Sequence, residues 1–222
     1  MEGASEAGAS VIAIPFIAIQ PIRGDKKKAE IKKWLSHPEP VALVFTSKYA
    51  VQFTFEPFSK SGMPGEQHRK IYCLGGVTKE YVARLAGEEN IIGVATNAAE
   101  LAEKIIRQEK YKNILFFCGD KRREDLPSLL KAAGINITEI PVYETTLTPV
   151  VVNEHLQGAV FFSPSAVESF FSVNKPDADT IYFAIGPTTA SALKAIAPNP
   201  VVVSDRPDEE ELMQTVWSYF KN

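Results

Sequence analysis

Short apolar runs recur along the chain, and each is followed by a small-residue turn and then by helical spacing of apolar residues. The runs are VALVF from residue 41, IYCLG from 71, IIGVA from 91, NILFFCG from 113, AVFF from 159, IYFAIG from 181 and PVVVS from 200. This alternation of strand and helix predicts an α/β fold with parallel sheets. Helices cover both faces of such sheets, which explains why the runs are continuously apolar.

An internal repeat accounts for the order of these elements. The motif S-x-x-A-V at residues 47–51 recurs 116 residues later, at 163–167. The turn at 75–78, which runs from Gly to Thr, recurs 111 residues later, as does the Glu-Leu pair at 100–101. The difference in offset falls at the insertion SKSGMPGEQH, which we predict to be a polar loop. Two homologous halves are the simplest interpretation.

A third correspondence sets the domain organisation. Gly8 and Pro15 match Gly134 and Pro141 at an offset of 126, but the strand and helix predicted before Gly134 have no counterpart before Gly8. We therefore predict a discontinuous terminal α/β domain, residues 1–21 with 144–222, that lacks its first βα unit. Residues 22–143 form an inserted middle domain with five strands.

Two segments run between the predicted domains. PFIAIQPI and PVYETTL each begin at a proline and look extended, so we expect them to pair as a two-stranded connector. The predicted fold class is thus two doubly wound parallel-sheet domains, related by an internal repeat, joined by this connector and separated by an inter-domain cleft.

Composition narrows the classes of partner. The chain has 222 residues, of which 45% are apolar and 23% charged, with a net charge of −3 and a pI near 5.7. This balance argues against a nucleic-acid partner. No apolar run reaches the roughly 18 residues that span a bilayer, so we expect no membrane partner and a cytoplasmic location. No conspicuous apolar surface helix indicates an obligate assembly, which favours a monomer.

Cysteine and histidine usage indicates neither a metal site nor a cofactor. Cys73 and Cys118 lie in apolar runs without CxxC spacing and are expected to be buried thiols. The three histidines are scattered and make no ligand pattern. A Walker lysine motif and a GxGxxG fingerprint are also missing, so nucleotides are disfavoured.

Hydroxyl residues recur in the turns that follow the predicted strands. In open α/β sheets, ligands bind beyond the carboxyl ends of the strands, where helix N-termini present unpaired amides. Ser163 before Pro164, and Gly186 before Pro187, have the pattern of helix starts. Each hydroxyl residue alone can be no more than a cap. Together, on the edges of two sheets, they suit a ligand with many carboxylates or phosphates.

Four segments then carry a family resemblance. FTSKYAV, FFSPSAV, AIGPTTASAL and VYETT resemble the turns and connector of the uroporphyrinogen-III synthase family, and the similarity runs from Ala9 onward. The resemblance implies two α/β domains with the substrate between them. It implies a lyase without cofactor that cyclises hydroxymethylbilane to uroporphyrinogen III, losing water and inverting ring D through an azafulvene cation and a spirocyclic pyrrolenine. A transient contact with the preceding bilane-forming enzyme is a further implied partner.

The resemblance also supplies candidate site residues. Tyr143 is the catalytic candidate, assisting departure of the hydroxyl, although a hinge-packing role is an equal alternative. Arg122 and Arg123 could face the cleft or form a solvated helix start. The substrate-binding candidates are Thr46, Ser47, Thr78, Ser163, Ser165, Thr188 and Thr189.

Two rival functions stay open at this point. The absent βα unit favours a non-catalytic two-domain protein that binds a tetrapyrrole or another polyanion. Turns rich in Ser and Thr would also serve a phosphosugar-binding domain. The product isomers formed from porphobilinogen in a coupled assay discriminate the enzyme from the binding protein.

Overall fold

The computed structural model describes residues 10–36, 41–59 and 70–221. The predicted polar loop at 59–68 lies outside these ranges except for Ser59, as do Gly8, His37 and His68. Each of the seven apolar runs forms a strand, and helices follow the strands. The predicted α/β fold with parallel sheets is therefore confirmed.

The chain divides into two compact units. The middle unit is Ile19–Thr145, and the terminal unit combines the residues up to Ala18 with those from Thr146 onward. Both crossings between units lie in strands, β1 (Ile17–Pro21) and β6 (Asn136–Leu147), which are neighbours in one sheet. The predicted boundaries at 21/22 and 143/144 fall at or within these strands. That the units are repeated domains with a connector stays a prediction.

The middle unit is built on parallel strands in the order β6-β5-β2-β3-β4, with β1 on the outer side of β6. Ile22 N donates to Val142 O (3.0 Å) and Thr148 N donates to Phe16 O (2.9 Å), so the chain around β1 runs antiparallel to β6. The other elements are α1 (Asp25–Leu35), β2 (Ala42–Phe45), α2 (Lys48–Phe55), β3 (Ile71–Leu74), α3 (Val77–Ala86), β4 (Ile91–Ala95), α4 (Ala98–Gln108), β5 (Asn113–Gly119) and α5 (Asp125–Ala132).

Helices cover both faces of this sheet. Leu43 and Phe45 of β2 belong to the apolar core shared with α1, α2 and α3. Ala42 and Val44, which point to the other face, belong to the core shared with α4 and α5. All four residues of β2 are buried, because alternate side chains enter two different cores.

The terminal unit is a smaller version of the same arrangement. Among its described residues, three parallel strands have the order β7-β8-β9. Phe161 packs with α6 and α7 on one face, while Phe183 packs with α8 on the other. The elements are β7 (Gly158–Phe161), α6 (Pro164–Phe171), β8 (Ile181–Ala184), α7 (Pro187–Lys194), β9 (Val201–Val203) and α8 (Glu209–Lys221).

Candidate active site

Most of the predicted site residues of the middle unit lie at one edge of its sheet. Strands β2, β3, β4 and β5 are parallel, so their carboxyl ends share that edge. Thr46 and Ser47 follow β2, Thr78 is in the helix after β3, and Tyr143 is paired with Gly119 at the end of β5. These residues come from separate parts of the chain, and the sheet topology brings them to one edge.

Ser47 caps α2. Its backbone is extended (φ −147°, ψ 138°), and its Oγ accepts a hydrogen bond from Tyr49 N at 3.2 Å. No acidic residue lies in the first turn of α2, and Lys48 lies there instead, with its Nζ 5.3 Å from the centroid of the Tyr49 ring. The positive end of the helix is therefore not neutralised by a carboxylate of its own helix. Lys48 was not among the candidate site residues drawn from the sequence.

The two threonines of this edge differ in accessibility. Thr46 is half-buried, but Thr78 is only 9% exposed and follows the actual cap of α3, Gly76. Gly76 has φ 60° and ψ −139°, a conformation that residues with a side chain rarely adopt. The turn after β3 therefore depends on glycine at position 76. The nearby Thr78 side chain is largely buried.

Tyr143 is half-buried beside aromatic residues of α2. Its ring centroid lies 6.1 Å from that of Tyr49 and 6.3 Å from that of Phe53. Burial raises the pKa of Tyr143, while a hydrogen bond with the Ser47 side chain acts in the opposite direction. With its pKa above the usual value near 10, the phenol carries its proton at neutral pH and can donate it.

Gly119 and Asp120 fix the position of Tyr143. The register of β5 against β6 shifts between Cys118 and Gly119, which places Tyr143 opposite Gly119. A Cβ at Gly119 would lie 2.4 Å from the Tyr143 ring. Asp120 N donates to Tyr143 O (3.0 Å), and Asp120 Oδ1 accepts from Thr145 N (2.8 Å). Neither residue was singled out from the sequence, although a Gly-Asp pair directly after an apolar run was a visible signal.

Arg122 is held by carboxylates of the middle unit. Its Nε donates to Glu139, and its guanidinium also pairs with Glu124 at 2.6 Å. Glu139 in turn pairs with Lys131 at 3.2 Å. Arg122 is therefore committed to this ion-pair cluster, whereas Arg123 is exposed.

The terminal unit presents a similar edge. Ser163 caps α6, and its Oγ accepts from Ala166 N at 3.2 Å, with Pro164 at the start of the helix. Ser165 is half-buried in the first turn. Helix α7 begins after Gly186 with Pro187 in its first turn. Neither α6 nor α7 has an acidic residue in its first turn, so both leave a positive end without an acidic neighbour in that turn.

The threonines after Pro187 point in different directions. Thr188 is exposed, whereas Thr189 is only 1% exposed. Thr188 can therefore meet a ligand at the surface, while Thr189 packs inside the unit in this conformation.

Among the described residues, the other five α-helices, α1, α3, α4, α5 and α8, each have an acidic residue in the first turn, and at two of them a side chain also caps the helix amides. At α4, Asn97 accepts from Glu100 N (3.0 Å), and the Glu100 carboxylate accepts from the Thr96 hydroxyl (2.6 Å), which lowers the pKa of Glu100. At α8, Asp208 Oδ1 accepts from Glu210 N and Glu211 N, at 3.0 and 3.1 Å. These ends repel an anion, so the starts of α2, α6 and α7 are the better anion sites.

Other reactive groups lie away from these edges or are buried. Cys73 and Cys118 are buried, and burial raises the pKa of both thiols to about 11. Over residues 10–36, 41–59 and 70–221, no group of three or more His, Cys, Asp or Glu side chains could hold a metal ion. In the same ranges, no helix is both long and apolar enough to cross a bilayer.

Comparisons with known proteins agree with one another. The family model described as uroporphyrinogen-III synthase HemD matches residues 1–214. The uroporphyrinogen-III synthase of Schizosaccharomyces pombe is 26% identical over 163 residues, which is 67% of this chain and 62% of that protein. The aligned region thus spans less than two thirds of the curated relative.

Solved structures are similar over almost the whole chain. The uroporphyrinogen-III synthetase of Helicobacter pylori has a TM-score of 0.63 at 21% identity, covering 95% of each chain. A mutant synthase from Thermus thermophilus has a TM-score of 0.64 at 16% identity, covering 99% of this chain and 93% of that one. At these identities the similarity supports the fold.

Proposed function

Because the chain belongs to the uroporphyrinogen-III synthase family, we propose that it converts hydroxymethylbilane, a linear tetrapyrrole with eight carboxylates, to uroporphyrinogen III. The reaction closes the ring, inverts ring D and releases water, which makes the protein a cyclising lyase of haem biosynthesis. No cofactor takes part in this proposal. The observation that carries it is the set of acid-free helix starts at the strand edges of both units.

Substrate carboxylates are assigned to these helix starts. Amides at a helix N-terminus carry a partial positive charge. Its interaction with an exposed anion contributes about 0.3–1 kcal/mol of binding free energy. Lys48 adds a full charge at the start of α2. Several such contacts, shared between the edges of the two units, would orient a flexible polyanion without any strong acid or metal. The predicted cleft between the domains belongs to this proposal.

Orientation is the main task of the enzyme. The bilane loses water and closes without help to the uninverted isomer, so a catalyst must favour attack at a different carbon of ring D. Holding the reacting carbons in place can contribute several orders of magnitude to a rate. Hydroxyl and amide anchors supply this positioning.

Tyr143 is assigned the role of proton donor to the departing hydroxyl. Its pKa is raised by burial, and Asp120 and Gly119 fix its backbone and its ring. We expect Tyr143→Phe to lower kcat by about 10²-fold or more, with a smaller change in KM. The matched control is Tyr111→Phe, because Tyr111 is a buried tyrosine that precedes β5 and lies at the opposite edge of the sheet. Equal loss in both variants would contradict the assignment.

The coupled assay tests the proposed function as a whole. Porphobilinogen and a bilane-forming enzyme supply hydroxymethylbilane, and the products are oxidised and separated as isomers I and III. Isomer III that depends on this chain supports the proposal, and isomer I alone overturns it. The bilane-forming enzyme is also the proposed transient partner, and the cytoplasm, where that substrate is made, is the proposed location.

The second candidate is a binding protein without turnover. Over the described residues, the sheet with strands of the terminal unit alone has three strands and the other sheet has six, and this smaller sheet is the observation behind the alternative. Calorimetric binding of a stable octacarboxylic tetrapyrrole, together with isomer I alone in the coupled assay, would support this alternative.

A further inference from the structure

Two aromatic residues of α2 form a cluster with Tyr143. The ring centroid of Tyr49 lies 6.2 Å from that of Phe53 and 6.1 Å from that of Tyr143. Tyr49 and Phe53 are four positions apart on one helix, so they share a face, and their rings are stacked with an interplanar angle of 23°. Tyr49 lies in the first turn of α2, which places it one turn nearer than Phe53 to the strand edge.

Ser47 connects the two tyrosines of this cluster. Its Oγ accepts a hydrogen bond from Tyr49 N at 3.2 Å, and its side chain is also hydrogen-bonded to Tyr143. The cap of α2 therefore positions the Tyr49 ring relative to the phenol that is assigned as the proton donor. A charge that develops beside the Tyr143 hydroxyl thus develops close to the Tyr49 ring.

Packing accounts for the other two rings better than for Tyr49. Phe53 and Tyr143 pack against the apolar core of the middle unit. Tyr49 is half-buried, but it is not among the described residues that pack against that core. Its ring instead faces a cation, because Lys48 Nζ lies 5.3 Å from the centroid. The Tyr49 ring is therefore accessible to a positive charge.

The sequence repeat separates this cluster from the carboxylate anchors. At an offset of 116, Tyr49 and Phe53 correspond to Ser165 and Ser169 of the terminal unit. The two helix starts share a capping serine but differ in the aromatic rings that follow it. Both starts can bind a carboxylate, and that task needs no ring. The aromatic pair therefore points to a task that belongs to the middle unit.

Departure of the hydroxyl in the proposed reaction creates a cation. The C–O bond of the hydroxymethyl group breaks with its electron pair on oxygen, and the proton of Tyr143 completes a water molecule. The pyrrole that carried the group keeps a positive charge, which the lone pair of its nitrogen spreads over the ring. When the macrocycle closes, the attacked pyrrole loses a proton, which restores the phenol of Tyr143.

We infer that Tyr49 is a further catalytic residue, whose ring face stabilises this pyrrole cation by a cation–π interaction. This role rests on the proposed function. The Lys48 ammonium then pairs with a substrate carboxylate, and the ring face that it covers receives the cation. An interaction that forms only as the charge develops lowers the barrier without tightening substrate binding, so it acts on kcat and not on KM. Cation–π interactions correspond to rate effects of about 2-fold at exposed sites and about 30-fold at desolvated ones.

Stepwise fluorination of the ring at position 49 tests the inference. Phenylalanine with none, one, two or three fluorine atoms replaces Tyr49, because each fluorine withdraws electron density from the ring face with little change of shape. The rate of isomer III formation is measured in a single turnover, with the chain in excess over hydroxymethylbilane, and KM is measured in the steady state. We expect the rate to fall with each fluorine, by about 3- to 30-fold across the series, while KM changes by less than about twofold.

Phe53 provides the matched control. It belongs to the same cluster, but it packs against the core one turn further from the strand edge. The same fluorinated series at position 53 should show no dependence of the rate on the number of fluorine atoms. Tyr49→Leu, which has an apolar side chain without a π face, should be as slow as the most fluorinated variant. Urea midpoints of all variants identify any loss of rate that comes from unfolding.

The outcomes distinguish this role from the proposed function. Isomer I as the sole product of the original chain would refute the proposed function and the role of Tyr49 with it. If the original chain forms isomer III, a rate independent of fluorine number at position 49 overturns the role of Tyr49 alone. A series in which KM rises and the rate stays constant also overturns it, because the ring would then stack on the bound bilane. So does a loss in Tyr49→Phe as large as that in Tyr143→Phe, because the hydroxyl would then be the active group.

Discussion

Replacement of Gly119 by Ala should disrupt the site through a single methyl group. The added Cβ would lie 2.4 Å from Cε2, 2.5 Å from Cζ and 2.9 Å from Oη of Tyr143, whereas ordinary contacts begin near 3.4 Å. The ring must therefore move by about 1 Å. Overpacking of this kind costs about 1–3 kcal/mol of unfolding free energy. A displacement of about 1 Å at a reacting group lowers a rate by about 10²-fold.

Gly75→Ala is the matched control. Gly75 follows β3 at the same edge, but a Cβ there would lie 3.6 Å from Val94 and 3.7 Å from Ala95 O, which is ordinary contact. Neither glycine has a positive φ, so neither substitution strains the backbone. Urea unfolding and the rate of isomer III formation are measured for both variants. Equal stability and equal rates for Gly119→Ala and Gly75→Ala would contradict the predicted clash with Tyr143.

Two further predictions concern stability. Ser47→Ala and Ser163→Ala should each lower the free energy of unfolding by about 1 kcal/mol, because each substitution removes a helix cap. Urea titration measures this change, and unchanged unfolding midpoints would contradict the capping role of the two serines. The thiols of Cys73 and Cys118 have pKa values of about 11 in the folded protein, against about 8.5 in the unfolded chain. Their contribution to the free energy of unfolding is therefore complete below about pH 8.5 and is lost as the pH rises through the folded pKa. The double Cys→Ala variant should show a shallower fall in stability above about pH 9, and an identical slope would exclude the thiols as the cause.

The local sequence pattern was sufficient to predict the strands and two of the helix starts. Buried parallel strands are continuously apolar, which made β2, β5 and β8 visible as runs of four to seven residues. Ser47 and Ser163 cap their helices because the hydroxyl and the following turn are adjacent in sequence. Both predictions depend on residues that are close together in the chain.

Features that depend on distant residues could not be predicted in this way. The contact between Gly119 and Tyr143 requires the register shift after Cys118, which no local pattern reveals. Similarly, Arg122 pairs with Glu139 across 17 positions, which only the pairing of β5 with β6 brings together. The inward direction of Thr189 likewise follows from packing of α7.

The isomer ratio measured against chain concentration is the most direct test of the central claim. At a fixed amount of hydroxymethylbilane, spontaneous closure competes with the catalysed reaction. If amides and hydroxyls at the two strand edges orient the bilane, the fraction of isomer III should rise towards completeness as the concentration of the chain increases. Isomer I as the sole product at every concentration would contradict the account.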